Sequence, residues 1–134
     1  LNNDSIKNNS KVSTLAGDIK KKEDHLNQNV VKVVTKEKLS PNNSSIANYF
    51  FRKTDIKEHK NIYHHLGIYL YKVSALEKFF SLKQTKNEIN MKLEQLRFID
   101  NNIDLNVYFT PKSSVGIDTY EDYLKAKKLM ESIN

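Results

Sequence analysis

Five stretches of this chain carry the β-branched or alternating apolar pattern of strands, and three carry apolar positions at helical spacing. "VSTLAG" (12–17) reads as a short strand, and "VVKVV" (30–34) as another by its β-branched content, with Lys32 its only polar side chain. "KEKLSPNNSS" (36–45), rich in Pro, Asn and Ser, must turn. "IANYFF" (46–51) then returns as a strand, so 30–51 reads as a hairpin with a long loop. "LGIYLY" (66–71) fits a strand buried on both faces, "SALEKFFSL" (74–82) a short helix, and "DLNVYF" (104–109) an alternating strand. Thr85 and Glu88 have capping-box spacing ahead of Ile89, Leu93, Leu96 and Ile99, which predicts one helix over 86–101. "GIDTYED" (116–122) reads as a strand end, a turn and a helix start, with Thr119 as N-cap three residues before Asp122. The last helix, 120–132, is expected to bury Tyr123, Ala126, Met130 and Ile133. Residues 1–10 read as a disordered or frayed start, "DIKKKEDHLNQN" (18–29) as a solvated loop or helical turn, and 52–63 shows no period. Strands alternating with helices in 134 residues, with no internal repeat, predict one α/β domain.

Composition narrows the classes. A hydrophobic fraction of 38% and a charged fraction of 28% suit a globular protein. The absence of Cys excludes disulfides, thiolate metal sites and a cysteine nucleophile. No apolar run approaches the roughly 18 residues of a membrane span, and the first residues lack a secretory pattern, so a cytoplasmic protein with no membrane partner is expected. The first residue is Leu rather than Met, which suggests a fragment or a processed piece. The net charge of +6 is uneven: residues 1–60 hold 12 basic and 7 acidic side chains, residues 61–134 hold 10 and 9. Of the 22 basic residues only Arg52 and Arg97 are Arg, and sixteen Asn accompany them, a mixture typical of AT-rich coding. Nucleic-acid surfaces favour arginine forks and aromatic-plus-basic stripes, so no nucleic-acid partner is expected.

The candidate chemistry centres on "HHLGIYLY" (64–71). Adjacent strand residues point to opposite faces, so one of His64 and His65 can face a given pocket. Tyr69 lies an even number of residues from His65, on the same face, with Gly67 between them leaving room for a ligand or a neighbouring backbone. This could be a polar wall for a hydroxylated ligand, or equally a core strand whose tyrosine hydroxyl finds a backbone partner. Glu94 and Gln95 neighbour the Leu93/Leu96 seam, and a carboxylate beside an amide can hold sugar hydroxyls; a solvated helix face is the alternative. Asp118 falls just past a strand end and ahead of a helix, at the edge of the sheet where α/β ligands bind; it serves as a Mg²⁺ ligand or as a helix cap. Glu121 and Asp122 decorate the first helical turn. With no Gly-rich phosphate loop, H-E-x-x-H or G-x-S-x-G, spacing alone yields a ligand-binding α/β unit and no reaction.

The order "NVVKVV" (29–34), "ANYFFR" (47–52), "HHLGIYLY" (64–71), "LEQLR" (93–97) and "GIDTYED" (116–122) resembles the 3-deoxy-manno-octulosonate (Kdo) cytidylyltransferases, in register from about residue 11 onward. The resemblance implies a Rossmann-like nucleotidyltransferase fold, of which this chain would be the C-terminal half: a mixed sheet flanked by helices with a dimerisation excursion over 30–63. It implies CTP and Kdo as substrates, CMP-Kdo and pyrophosphate as products for lipopolysaccharide synthesis, Mg²⁺ as cofactor, and a homodimer. By position, His65, Tyr69, Glu94, Gln95 and Arg52 match residues that bind the sugar, and Asp118 matches a Mg²⁺ ligand; no catalytic residue is assigned. Two departures bear on sugar preference. "FRKTDIKEHKN" (51–61) has no Pro where the family carries one, and Met91 stands where a second glutamate is usual. The family's phosphate-gripping loop and second metal-binding aspartate have no counterpart in this sequence, so the chain alone is expected not to transfer cytidylate.

Overall fold

The structure, a computed structural model, describes residues 1–53, 60–111, 117 and 119–132. In chain order the elements are α1 (Asn2–Lys7), β1 (Val12–Gly17), a 3-10 turn (Lys22–His25), β2 (Lys32–Thr35), β3 (Ser45–Phe51), β4 (Ile62–Tyr71), α2 (Val73–Ser81), α3 (Lys86–Met91), α4 (Leu96–Asp100), β5 (Asn106–Phe109) and α5 (Tyr120–Glu131). The five strands form one mixed sheet in the order β1-β4-β2-β3-β5, flanked by helices. Four pairings are antiparallel and one, β1 with β5, is parallel. The order closes on itself, because β5 also meets β3 at Ser45↔Val107 and Ile46↔Asn106. The expected hairpin is present as β2 and β3, but β2 also pairs with β4 and so lies inside the sheet. Burial centres on Val12, Val33, Phe50, Leu96, Phe98 and Val107, the apolar positions of strands and of α4 that face one another. Water release from this surface is the main force holding sheet to helices.

Several expectations change. The first residues form a helix instead of fraying: Ser5 is buried, and its hydroxyl lies 2.7 Å from that of Ser13 on β1. A short helix alone is unstable in water, so this docking holds it. The strand expected to be buried on both faces spans Ile62–Tyr71 and is buried only in its first half, with Gly67 and Ile68 exposed. The single helix expected over 86–101 is two, α3 and α4, separated at Lys92, whose φ of 54° and ψ of 50° are left-handed. The capping box on α3 forms: Thr85 accepts from the Glu88 amide and the Glu88 carboxylate accepts from the Thr85 amide. What fails is the apolar stripe, since Ile89 is 57% exposed while Leu93 and Leu96 are buried. The last helix forms with its predicted Thr119–Asp122 cap, yet buries no residue; Tyr123 and Met130 lie open to solvent. Ile133 and residues 54–59 of the 52–63 segment lie outside the described residues.

Candidate functional site

The site grows from an irregularity in β4. Its pairing with β1 sets Thr14 opposite Tyr69 and Ala16 opposite His65, so four steps of β4 run against two of β1. The surplus bulges out at Gly67, whose φ is +67°. That conformation costs an L residue about 1–2 kcal/mol. A Cβ at this position would meet nothing within 4 Å. The glycine therefore serves the backbone conformation, and of the two occupants expected beside it, a ligand or a neighbouring backbone, the neighbouring backbone is corrected. Thr14 Oγ1 occupies the inside of the bulge, donating to the Ile68 carbonyl at 2.8 Å and lying 2.8 Å from His65 Nε2. Both edges of the bulge are tied to one hydroxyl.

From the bulge an aromatic row runs toward α4. The His65 ring stands edge-on to Phe50 at 5.0 Å and tilts against Tyr69 at 5.4 Å. Tyr69 stacks on Tyr71 at 5.7 Å, and Tyr71 on Phe98 at 5.9 Å. Burial, helped by the neighbouring His64, drives the His65 pKa down to about 4, so the ring is neutral at physiological pH. Burial and then Tyr71 and Glu94 hold the Tyr69 hydroxyl above the ordinary phenol range. Burial and then Glu94 push Tyr71 up to about 12. Both hydroxyls keep their protons at neutral pH, and the negative charge of Glu94 contributes to that in each.

Glu94 and Gln95 lie in the turn between α3 and α4, not in a helix interior as the sequence suggested. Glu94 is exposed and Gln95 is buried. Arg52 holds the turn. Its Nε donates to the Met91 carbonyl at 3.1 Å, Nη2 to Lys92 at 3.1 Å and Nη1 to Gln28 at 3.2 Å. The carbonyl of Arg52 accepts from Lys32 Nζ, which also donates to the Asn27 carbonyl at 2.7 Å. Lys32 is fully buried, and burial lowers its pKa to about 8 against the opposing pull of Asp24. Below the turn, Glu88 accepts both Nε (2.8 Å) and Nη2 of Arg97, and that guanidinium lies 4.1 Å over the Phe79 ring. Hydrogen bonding from Arg97 keeps the Glu88 carboxyl below the usual carboxylate range.

Of the residues singled out in the sequence, His65 and Tyr69 come together on β4, while Glu94 and Gln95 stand side by side in the α3–α4 turn, the Glu94 charge being felt at Tyr69. Arg52 stands behind the turn with three donors on main-chain carbonyls. His64 points away, beside Lys32 and Asp24. Asp118 lies outside the described residues, and among those described no three His, Cys, Asp or Glu side chains are grouped to hold a metal. Sequence reasoning passed over Thr14, Tyr71 and Lys32. Tyr71 had a signal, its even spacing from Tyr69, and Lys32 had one as the lone polar residue of its strand. Thr14 had none, since its role depends on a bulge in another strand.

A mixed sheet with flanking helices, carrying a polar aromatic wall at one end of a strand, defines an α/β nucleotidyltransferase-like fold. A solved structure titled CMP:2-keto-3-deoxy-manno-octonic acid synthetase complexed with CTP superposes with a TM-score of 0.83 at 24% identity, over 100% of this chain and 55% of that one. Residues 3–108 match the family described as cytidylyltransferase, and the chain belongs to that family. The 3-deoxy-manno-octulosonate cytidylyltransferase of Bartonella bacilliformis is 36% identical over 126 residues, covering 93% of this chain and 51% of that protein. The one from Koribacter versatilis is 35% identical over 118 residues, covering 84% and 43%. The chain thus spans about half the length of the relatives it matches.

Proposed function

We propose that this chain is the sugar-binding half of a cytidylyltransferase that joins CTP to 3-deoxy-manno-octulosonate, giving the CMP-sugar and pyrophosphate for lipopolysaccharide synthesis. The observation that carries the proposal is the ring contact of His65 with Tyr69 on β4, the Tyr69 hydroxyl also feeling the charge of Glu94 in the α3–α4 turn. A neutral imidazole, a protonated phenol, a carboxylate and the Gln95 amide offer directional acceptors and donors, the chemistry that recognises a polyhydroxylated chain. Arg52 supports the wall by fixing the turn through three main-chain carbonyls. In the reaction the sugar's anomeric hydroxyl attacks the α-phosphorus of CTP in line. The wall's part is to hold the sugar at the angle the attack needs, so catalysis here is positioning. Mg²⁺, when bound, neutralises charge on the phosphates. Asp118 is the proposed ligand, which suits an ion that commonly takes one or two protein carboxylates with phosphate oxygens for the rest. The whole protein is read as a cytoplasmic homodimer of Rossmann-like fold, with 11–134 as the C-terminal part of its single domain and 30–63 at the dimer contact.

Titrating the 134-residue chain with 3-deoxy-manno-octulosonate in the absence of nucleotide tests the site. Saturable binding, weakened about tenfold or more by Glu94→Ala (about 1.4 kcal/mol), is expected. No saturable binding, or full affinity in the variant, overturns the assignment. Incubation with CTP, sugar and Mg²⁺ separates a half-site from a complete enzyme: the chain alone is expected to form no CMP-sugar.

A further inference from the structure

Thr14 does more than close the bulge. A threonine hydroxyl carries one hydrogen, and here that hydrogen is committed. The Ile68 carbonyl, which can only accept, lies 2.8 Å from Thr14 Oγ1. The other contact of the same oxygen, with His65 Nε2 at 2.8 Å, must then run the opposite way, with the imidazole N–H donating. A neutral imidazole has a single N–H, so Nδ1 is left as a lone pair. No described residue bonds Nδ1 of His65.

The chemistry of this nitrogen points to one kind of ligand group. The negative charge of Glu94 is felt at Tyr69 and Tyr71. Both arginines of the chain are directed elsewhere, Arg52 to three main-chain carbonyls and Arg97 to Glu88. A lone pair on Nδ1 accepts from a hydroxyl and repels an anionic oxygen. We infer that Thr14 is a positioning residue that locks His65 in the Nε2–H tautomer, so that Nδ1 accepts a hydrogen bond from a hydroxyl of the bound sugar. The identity of the ligand rests on the reading of this wall as a sugar site; the tautomer does not.

Long-range proton–nitrogen correlation spectra of the ¹⁵N-labelled chain at neutral pH read the tautomer directly. The expected result is His65 protonated on Nε2, with its Nδ1 resonance shifting when 3-deoxy-manno-octulosonate is added. Thr14→Val removes the hydroxyl at constant volume and is expected to leave a mixture of tautomers and a roughly tenfold weaker affinity, while Thr14→Ser restores both. Near-UV circular dichroism confirms that each variant is folded, and the serine variant carries the test should the valine one not fold. Sugar binding by a chain whose His65 is protonated on Nδ1 overturns the tautomer lock and leaves the sugar site standing. So does a Thr14→Val variant with unchanged tautomer and affinity. The Nε2–H tautomer in a chain that binds no sugar overturns the sugar site, and with it the Nδ1 contact.

Discussion

At the scale of single residues, His65 links the site to pH. Its pKa in the folded chain, about 4, lies below the 6.5 of an unperturbed histidine. Between these values the unfolded chain takes up a proton that the folded chain refuses, so stability is full above about pH 6.5 and falls as pH drops toward 4. At pH 5 the loss is roughly 2 kcal/mol. His64, also lowered by burial, adds a contribution of the same sign. Urea unfolding at pH 7.5 and pH 5 is expected to show a clear loss for the native chain and a smaller one for His65→Gln; equal losses exclude His65 as the cause. The histidine and its same-face tyrosine were legible because strand alternation is a local rule. Their supporting hydroxyl was not, because Thr14 is 51 residues from His65 and meets it only through the register of two strands.

At the scale of elements, the break between α3 and α4 governs where Glu94 and Gln95 stand. The capping box at Thr85 and Glu88 could be read from the chain, since it involves neighbours in sequence. The stop at Lys92 could not. Ile89, Leu93, Leu96 and Ile99 keep helical spacing across it, and the groups that hold the break come from Arg52, forty residues earlier. Glu88 is therefore doubly used, as cap of α3 and as partner of Arg97 on α4. Glu88→Gln removes the charge from a nearly buried bidentate pair and strands the guanidinium, which typically costs 3–5 kcal/mol. Thermal and denaturant melts measure this; a loss under about 1 kcal/mol, the range of an exposed pair, contradicts the staple. Because the Glu88 carboxyl sits below its ordinary range, its stabilisation is present above that range and declines as acid titrates it.

At the scale of the molecule, four of the five strands were legible within about two residues and β4 was read four residues short at its start, because β-branched runs and alternation report burial directly. The closing of their order was not, since pairing partners are not written in periodicity. The burial expected for α5 shows a further limit: an amphipathic pattern says that a face wants cover, without saying which surface provides it. In this chain the α5 face is uncovered, with Tyr120 at 74% and Met130 at 70% exposure. Met130→Ser is accordingly expected to change the unfolding free energy of the 134-residue chain by no more than about 0.5 kcal/mol, as surface positions do. A loss near 2 kcal/mol in a melt would show that α5 packs in solution.

The parallel pairing of β1 with β5 has a kinetic consequence. It sets Ser13 beside Asn106 and Ala16 beside Phe109, so the sheet cannot close until nearly the whole chain has been gathered. Ordering so long a loop is opposed by entropy before any contact is made, which makes this docking step slow and late. Until β5 arrives, one side of β1 and one side of β3 stand as open strand edges, available to another copy of the same chain. Refolding yield should therefore fall with protein concentration even though, among the described residues, the strand order of the finished sheet closes on itself.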